Sequence, residues 1–448
     1  NIVQIFWLWK QQISVASYSM AHQILQSRAN NYQKYPPNAL LRRLFGSSVL
    51  TSHGEAWRRY RVLTQAALSP QRIPAFFEGM LAPVQSFCRN WQTDLGAAAD
   101  ALLEKDVYPD LMTLCLEMIG TVAVGQTLGA LEGETQLFLN NIRLIIACST
   151  QPQYQFASWW QHLPLAANRE LAQAFAEIDA FLYGLIQARR GTDPSNIEDP
   201  TLLDLLLQAT VDEALPPLSD QEVRDNLLAI ILNGHESAAT CLALTLALLA
   251  QHPESLARAQ AEVDQCLGSA PLSADRLREL PYLESVLQES LRLYPPMTGI
   301  QRVSVGPDQL EGWGIPEQQV IGIALMPLHR DPHFFGAEPE SFRPDRYAEE
   351  PHRSPSRCPF SRLIRSGKTP QGIHWPLAFG DGPRRCLGEA LAMAQMLSVL
   401  ALLLHRFEFR LAAGFSPEVE LGKFGLFISM VPKDGVRLQI RLRPPQSH

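Results

Sequence analysis

A short loop near the carboxyl end of the chain carries the side chain with the clearest chemical potential, Cys386. The loop reads Phe-Gly-Asp-Gly-Pro-Arg-Arg-Cys-Leu-Gly-Glu-Ala over 379–390, and its glycines and proline predict a tight turn before the cysteine. A helix rich in Ala and Leu is predicted over 389–405, which puts the thiol at a helix N-terminus. Helix-end N–H groups and the charges of Arg384 and Arg385 are expected to lower the pKa of this thiol. Such a thiolate is a nucleophile or a soft-metal ligand, and the alternative is a buried structural cysteine.

A second candidate is a polar interruption in a long apolar helix. Ser219 and Glu222 form a capping box, and the helix is predicted to end near Gln251, before Pro253. Its side chains are apolar nearly all round, which predicts burial. In its middle, 233–237 reads Asn-Gly-His-Glu-Ser, and a buried carboxylate is costly unless it is paired or neutralised. Either the helix kinks around a satisfied polar cluster, or this is a site that handles protons or a ligand.

Composition excludes several classes of protein. The chain has 448 residues, of which 46% are hydrophobic, and this is ample for a large buried core. The net charge of −7 argues against a general nucleic-acid binder. The seven Cys form no Cys-x-x-Cys pair, which indicates free thiols in a reducing compartment. No uncharged apolar run is long enough for a membrane span, although a targeting segment or anchor could precede Asn1.

The periodicity of the chain predicts a mainly α fold. Pro and Gly clusters punctuate amphipathic helices along most of the sequence. The segments that read as strands are 2–15, 301–305, 320–324, 426–431 and 436–442. We therefore expect one domain over 1–448, a large multihelical body with a small β-rich lobe built from both ends of the chain.

The cysteine loop resembles the haem-binding loop of the cytochromes P450, the haem-thiolate monooxygenases. The matching residues are Phe379, Gly380, Gly382, Arg384, Cys386 and Gly388. The resemblance implies that the thiolate of Cys386 is the axial ligand of the haem iron. It also implies that Arg384 reaches a haem propionate, that Phe379 packs beside the sulfur, and that the glycines, Gly388 included, let the backbone approach the porphyrin.

Three other segments match the family in the same order along the chain. Glu289 and Arg292 resemble its Glu-x-x-Arg helix, and the segment 339–347 resembles its Pro-x-x-Phe-x-Pro-x-Arg motif. The resemblance implies that Arg346 of this second segment completes a buried, structural triad with Glu289 and Arg292. Trp57 and Arg61 resemble the Trp-x-x-x-Arg helix.

The cofactor implied by the resemblance is haem b, iron protoporphyrin IX. Trp57 and Arg61, one helical turn apart, would both meet a propionate. Arg302 fits a further propionate partner.

The centre of the long helix matches the oxygen-activation motif of the family only in part. Gly234 would leave space for dioxygen, and Glu236 and Ser237 would be the catalytic acid–alcohol pair that relays protons. Asn233, Ser237 and Ala238 depart from the family pattern. The Asn233 amide is expected either to bond dioxygen or substrate, or to point away into the helix packing.

The resemblance implies a monooxygenase that hydroxylates a lipophilic substrate, such as a fatty acid or terpenoid, with dioxygen. The pocket walls carried over by position are Leu40–Thr51, Leu228–Leu232, Met297–Gln301 and Lys423–Phe427. Arg42, Arg43 or Lys423 could hold a substrate carboxylate, although solvated surface cations are the simpler interpretation. The segment Gln153–Leu165, with Trp159 and Trp160, resembles the mobile lid between two helices of the family. Its aromatic side chains are expected to pack within the lid, and the alternatives are that they line a substrate mouth or contact a membrane surface.

Electrons are expected from a separate protein, because no flavin or nicotinamide domain follows Cys386 in this sequence. The stretch 351–386 carries seven basic residues against one acid, a net +6, which predicts docking of an acidic ferredoxin or flavodoxin. A solvated insertion is the alternative. The expected location is the cytoplasm or a peripheral membrane position.

Two other functions stay open on the sequence. One keeps the haem but runs as a peroxide-driven peroxygenase, an isomerase or a dehydratase, although Glu236 and Ser237 argue against it. The other is a non-catalytic haem sensor, although no output or nucleic-acid module is visible.

Overall fold

A computed structural model describes most of the chain. It covers residues 2–7, 10–96, 102–126, 133–157, 159–192, 200–208, 216–268, 270–348, 376–416, 419–424 and 427–444. Helices dominate these ranges, so the mainly α fold class is confirmed.

The α-helices differ widely in length, and the longest cross the whole body. They are α1 (Tyr18–His22), α2 (Ala39–Phe45), α3 (Gly54–Ala67), α4 (Ile73–Leu95), α5 (Val107–Val124), α6 (Glu134–Ser149), α7 (Pro152–Phe156), α8 (Ala166–Arg190), α9 (Leu202–Leu207), α10 (Asp220–Gln251), α11 (Pro253–Leu267), α12 (Pro281–Leu293), α13 (Leu325–Leu328), α14 (Pro332–Phe335), α15 (Asp345–Ala348) and α16 (Glu389–Arg406).

Within the described ranges the strands are short and form four separate sheets. They are β1 (Ile2–Trp7), β2 (Lys10–Val15), β3 (Tyr32–Lys34), β4 (Leu103–Asp106), β5 (Gly299–Ser304), β6 (Asp308–Leu310), β7 (Trp313–Ile315), β8 (Val320–Ala324), β9 (Phe407–Leu411), β10 (Val419–Phe424), β11 (Phe427–Pro432) and β12 (Arg437–Leu442). The largest sheet has the order β1-β2-β8-β5-β3, and only its β2–β8 pair is parallel. The others are β4-β12-β9 and the hairpins β6–β7 and β10–β11.

The predicted small β-rich region is present, but the two ends of the chain enter different sheets. The amino-terminal hairpin β1–β2 joins β8, whereas the carboxyl-terminal strand β12 pairs with β4 and β9 in another sheet. Strand β4 leads directly into α5, whose first turn is capped by the side chain of Asp106. The carboxyl end of the chain is therefore tied to the helical body, because its pairing partners lie there.

The long central helix forms as predicted, over the 32 residues of α10. The Ser219 hydroxyl accepts from the backbone N–H of Glu222, whose carboxylate accepts from the backbone N–H of Ser219 at 2.8 Å. Helices α5, α8, α12 and α16 pack around α10, so most of its side chains are buried. This burial fixes the position of its polar centre inside the protein.

Three of the described helices, α5, α10 and α16, are long and apolar enough to cross a membrane by length and composition alone. In the folded chain most of their apolar residues are buried against other elements. Their hydropathy is therefore accounted for by the core of the protein.

Candidate active site

The cysteine loop is a tight turn built on left-handed glycines. Gly380 has φ 71° and Gly382 has φ 69°. A Cβ on Gly382 would lie 1.8 Å from the backbone oxygen of Leu25, so no larger side chain fits there. The N–H of Cys386 donates to the carbonyl of Phe379 at 2.9 Å, which closes the turn. The loop therefore holds the thiol in one place just ahead of α16.

The predicted lowering of the Cys386 pKa is wrong for the protein alone. Burial raises the pKa of this thiol to about 11, and the Glu389 carboxylate raises it further against the lowering effects of the Gly388 N–H, Arg61 and Arg385. Arg385 is paired with Glu389 through two bonds of 2.6 Å, so much of its charge is compensated. The thiol is surrounded by protein and is accessible only because it faces a cavity. A bound metal ion would have to supply the deprotonation.

The predicted structural triad is present and buried. Arg292 donates to both carboxylate oxygens of Glu289 at 2.8 Å, and Arg346 donates to the same carboxylate at 3.2 Å. Neither Glu289 nor Arg292 has any exposed side-chain surface. Arg292 also donates to the carbonyls of Pro339 and His329, so the ion pair fixes the segment that contains them.

His329, which the sequence analysis missed, connects this triad to the cysteine loop. Its Nδ1 donates to the carbonyl of Arg292 at 3.1 Å, and its Nε2 accepts from the N–H of Leu377 at 2.8 Å. Leu377 begins the short turn that ends at Phe379, the backbone partner of Cys386. Burial lowers the pKa of His329 to about 3, so the ring is neutral and can both donate and accept.

Replacing His329 with Leu is expected to loosen the cysteine loop, because the bond between His329 and the N–H of Leu377 is lost. The substitution leaves the N–H of Leu377 without its acceptor, which costs about 1–3 kcal/mol when a buried group is involved. In the native protein, His329 contributes to the free energy of unfolding fully above pH 6.5. This contribution is lost as the pH falls from 6.5 towards 3, because between these values only the unfolded chain takes up a proton at this histidine. Haem transfer to apomyoglobin measures the effect, and the exposed His333→Leu is the control. Equal transfer rates in the two variants would contradict this role.

A cavity of about 890 Å³ lies against Cys386 and α10. Three predicted walls contribute to it, through Val49 and Leu50, through Ala229 and Ile230, and through all of Met297–Gln301. Most of this lining is apolar. The fourth predicted wall, Lys423–Phe427, lies partly outside the described residues.

Four buried or partly buried cations gather at one side of the cavity. Trp57 lies beside them, with the Arg384 guanidinium 4.1 Å from its ring centroid. The four cations are Lys34, Arg61, Arg302 and Arg384. Strand pairing places Lys34 opposite Arg302. Arg384 donates a hydrogen bond to the carbonyl of Ser52 at 2.8 Å. Lys34 was not predicted from the sequence, because the β3–β5 register brings it to this site.

This cluster fits a dianionic group such as the two propionates of haem. Burial, assisted by the neighbouring cations, lowers the pKa of Arg384 to about 10, and burial lowers that of Arg302 to about 10. The Nη1 atom of Arg384 is buried without a hydrogen-bond partner. Among the described residues that line the cavity, Glu236 is the only acid. The site therefore has positive charge and an unused donor where two carboxylates would bind.

The polar centre of α10 faces the cavity as a group. Asn233, Gly234, Glu236 and Ser237 all line it. The amide of Asn233 donates to the carbonyl of Ala229 at 2.7 Å, which favours the alternative in which this group points into the helix packing. The hydroxyl of Ser237 donates to the carbonyl of Asn233 at 3.2 Å and remains at the cavity surface.

Glu236 is poised to exchange protons near neutral pH. Burial raises the pKa of its carboxyl to about 7, and the hydroxyl of Ser429 partly offsets this rise. Ser429 is a cavity-lining residue that the sequence analysis missed. Ser429 pairs with Met297 through an isolated β-bridge, and its strand β11 packs against α10.

Gly234 also has a packing role that the sequence did not reveal. A Cβ at this position would lie 2.9 Å from the side chain of Ile119 on α5. The glycine therefore allows α5 and α10 to approach closely next to the cavity.

Two of the three cations suggested for a substrate carboxylate are not placed to bind one, and the side chain of the third, Lys423, lies outside the described residues. Arg42 and Arg43 are exposed and do not line the cavity, and the Arg43 guanidinium instead lies 4.0 Å from the ring centroid of Phe175. The short helix α2 turns both side chains outward, which agrees with the interpretation that they are solvated surface cations.

The predicted lid, Gln153–Leu165, is hydrogen-bonded to Asn168 of α8. Asn168 donates to the carbonyls of Trp160 and Leu163 at 2.7 and 2.9 Å and accepts from the hydroxyl of Tyr154. Trp159 is 60% exposed, whereas Trp160 packs against the core.

The predicted basic docking stretch is only partly described. Its cations Arg353, Arg357, Arg362, Arg365 and Lys368 lie outside the described residues. Arg384 faces the cavity and Arg385 is paired with Glu389, so these two do not add charge to an outer face. The count of +6 therefore overstates the charge available for docking.

Comparison with known proteins identifies the fold and the family. The sequence model described as cytochrome P450 matches residues 1–436. Cytochrome P450 714C2 of Oryza sativa subsp. japonica is 30% identical over 403 residues, which cover 89% of this chain and 72% of that protein. Echinocystic acid 23-monooxygenase of Saponaria officinalis is 27% identical over 433 residues, which cover 93% of this chain and 77% of that protein. The solved structure of retinoic acid-bound cyanobacterial CYP120A1 superposes with a TM-score of 0.79 at 25% identity, covering 99% of this chain and 92% of that one.

These matches agree with the buried thiol, the cation cluster and the long helix at one cavity. They confirm the family resemblance and the mainly α fold. The chain therefore belongs to the cytochrome P450 family of haem-thiolate monooxygenases.

Proposed function

We propose that this monooxygenase hydroxylates a lipophilic small molecule such as a fatty acid or terpenoid. The observation that carries the proposal is the largely apolar cavity of about 890 Å³ between Cys386 and α10. An apolar wall excludes water and favours apolar substrates. One relative is named for oxidising echinocystic acid, and a structural relative is described with bound retinoic acid, which supports the same class.

In this proposal the cofactor is haem b, held by the residues around the cavity. Cys386 is the iron ligand. The residues that bind the rest of the cofactor are Trp57, Arg61, Gly234, Arg302, Phe379, Arg384 and Gly388. When bound, haem supplies the activation of dioxygen and the oxidation of a substrate C–H bond.

The residues of the chain itself supply protons, orientation and a dry pocket. Glu236 takes up a proton near pH 7 and passes it towards the cavity through the hydroxyl of Ser237. The cations at the other side neutralise the propionates, so the cofactor stays in one orientation. The apolar walls bring the substrate C–H bond near the reaction centre and keep bulk water out.

The remaining parts of the proposal concern the architecture, the electron donor and the location. The chain forms a single catalytic domain over 1–448, and the donor is a separate acidic ferredoxin or flavodoxin. Trp159 and Leu165, the latter 40% exposed, would be the residues that touch a membrane surface. The protein itself would be cytoplasmic or peripheral to the membrane.

Reversing the charge at Arg362 and Arg365 together is expected to slow reduction by such a donor about tenfold at low salt. Electrostatic steering accelerates association strongly and falls with ionic strength, so the difference should shrink at high salt. Stopped-flow reduction of the haem under carbon monoxide measures the rate. Reduction at the native rate at low salt would contradict docking at this stretch.

A panel of lipophilic compounds tests the substrate class. Fatty acids and terpenoids are expected to shift the haem absorption band as water leaves the iron, and to yield hydroxylated products with reductant, donor and air. Products that form with peroxide but not with donor and reductant would favour a peroxygenase instead.

A further inference from the structure

One wall of the cavity is tied to α10 by three consecutive side chains. The wall segment, residues 46–52, follows α2 and carries Val49 and Leu50, which line the cavity. Arg224, Asp225 and Asn226 lie on α10 two turns before its polar centre, and all three are buried. Charged and polar side chains at full burial need partners, and the wall segment supplies them.

Each of the three side chains binds a different point of the chain around this wall. Arg224 donates to the carbonyl of Leu44 at 2.6 Å, just before the segment. Asp225 accepts from the N–H of Ser47 at 2.8 Å. Asn226 accepts from the N–H of Val49 at 2.9 Å and donates to its own helix at the carbonyl of Glu222. The bonds follow the chain in order, so the segment runs alongside α10 in one register.

The wall segment is also fixed internally and at its far end. The Thr51 hydroxyl donates to the carbonyl of Gly46 at 2.6 Å and accepts from the N–H of Ser48 at 3.1 Å. Arg384, one of the cofactor-side cations, donates to the carbonyl of Ser52 at 2.8 Å. The segment is therefore bound to α10 at one end and to the cysteine loop at the other.

Gly46 is the point at which the backbone must approach α10. It has φ 49°, and a Cβ there would lie 1.9 Å from a carboxylate oxygen of Asp225. Only glycine allows this approach without moving the carboxylate. The glycine and the three α10 side chains thus form one complementary arrangement.

We infer that Asn226, with Arg224 and Asp225, is a positioning residue that holds Val49 and Leu50 as a fixed, selectivity-determining wall. The inference rests on the proposed function, because it assigns the cavity to the substrate. A wall fixed by buried hydrogen bonds discriminates ligand shape, since a ligand cannot displace it without leaving those groups unpaired. Loosening the wall should therefore change which ligands fit, while the haem and its thiolate ligand stay intact.

The test uses Asn226→Leu, which removes the acceptor for the Val49 N–H at similar volume. Hydrogen exchange over residues 44–52 is expected to become about tenfold faster, the change that corresponds to about 1.4 kcal/mol. The iron ligands 4-phenylimidazole and imidazole serve as large and small probes. Their affinity ratio is expected to change about tenfold, because the phenyl ring extends the larger probe further into the cavity that Val49 and Leu50 line.

Two matched variants separate positioning from general damage. Asn226→Asp keeps the acceptor oxygen but places a second carboxyl group beside buried Asp225, so it is expected to restore both readouts only at a pH low enough to keep that group protonated. Asp179→Asn removes the half-exposed partner of Arg224 but none of the bonds to the wall, and is expected to change neither readout. If Asn226→Leu does not fold, Asp225→Asn is expected to shift both readouts in the same direction by less.

The reduced carbon monoxide spectrum distinguishes this inference from the proposed function. A native-like spectrum in all variants, with changed exchange and a changed affinity ratio, supports the fixed wall. Unchanged exchange, or faster exchange with an unchanged affinity ratio, overturns it. Loss of the spectrum in the unmodified protein would instead overturn the haem site itself.

Discussion

Replacing Glu236 with Gln is expected to lower product formation about a hundredfold, the scale on which a positioned proton donor contributes. The carboxyl is partly buried, and burial raises its pKa to about 7, so a protonated fraction exists at neutral pH. Gln fills the same space but cannot release a proton. Product per electron consumed, measured with a saturating donor, should fall, and the remaining electrons should appear as hydrogen peroxide.

The pH dependence provides a second readout for Glu236. In the native protein, product formation should decline as the pH rises through about 7, because the donor form of the carboxyl is lost. The variant should lack this decline. Ser237→Thr keeps a hydroxyl at the neighbouring position and serves as the control, with activity near that of the native protein. Native product yield in Glu236→Gln would contradict the proton relay.

Replacing Glu289 with Gln is expected to destabilise the protein by about 3–5 kcal/mol, the cost of removing one partner of a buried ion pair. Arg292 has no exposed side-chain surface, and Arg346 donates to the same carboxylate. The variant leaves two guanidinium groups in the protein interior without their counter-charge. Denaturant unfolding followed by haem absorbance measures the change.

The matched control for Glu289 is the exposed pair Glu55 and Arg58, which has the same i, i+3 spacing. Glu55→Gln is expected to change stability by less than about 1 kcal/mol, because both side chains are mostly in solvent. If Glu289→Gln and Glu55→Gln lower the free energy of unfolding equally, burial does not determine how much the triad contributes to stability.

Local patterns in the sequence predicted the elements that carry the site. The capping box and the stop before Pro253 set both ends of α10, and the glycines set the turn before Cys386. The ends of α10 and the turn before Cys386 depend on residues adjacent in the chain, so the local sequence is enough to predict them. The triad of Glu289, Arg292 and Arg346 was expected only from the resemblance of two short motifs to the family, because spacing along the chain does not bring the two motifs together.

Features that depend on distant segments could not be predicted in this way. His329 lies 48 residues from Leu377, and only the fold brings its ring between that N–H and the carbonyl of Arg292. Lys34 reaches the cations through its pairing with β5, and Ser429 reaches Glu236 through the β11 hairpin. No local pattern marks such residues.

The pKa of Cys386 also depends on both adjacent residues and distant segments of the chain. The sequence predicted the charges beside the thiol, but the largest contribution comes from burial among residues far along the chain. The neighbouring Glu389 also compensates Arg385, a pairing that depends on how α16 begins. Electrostatic effects at this site therefore follow from tertiary packing more than from adjacent residues.

The reduced carbon monoxide difference spectrum tests the central claim, that the sulfur of Cys386 is bonded to the haem iron. The native protein is expected to show the band of thiolate-bound carbonyl haem, and Cys386→Ser is expected to lose it. The buried Cys241, which also lines the cavity, provides the control, since Cys241→Ser should keep the band. Absence of the band in the native protein, or its persistence in Cys386→Ser, would contradict this account.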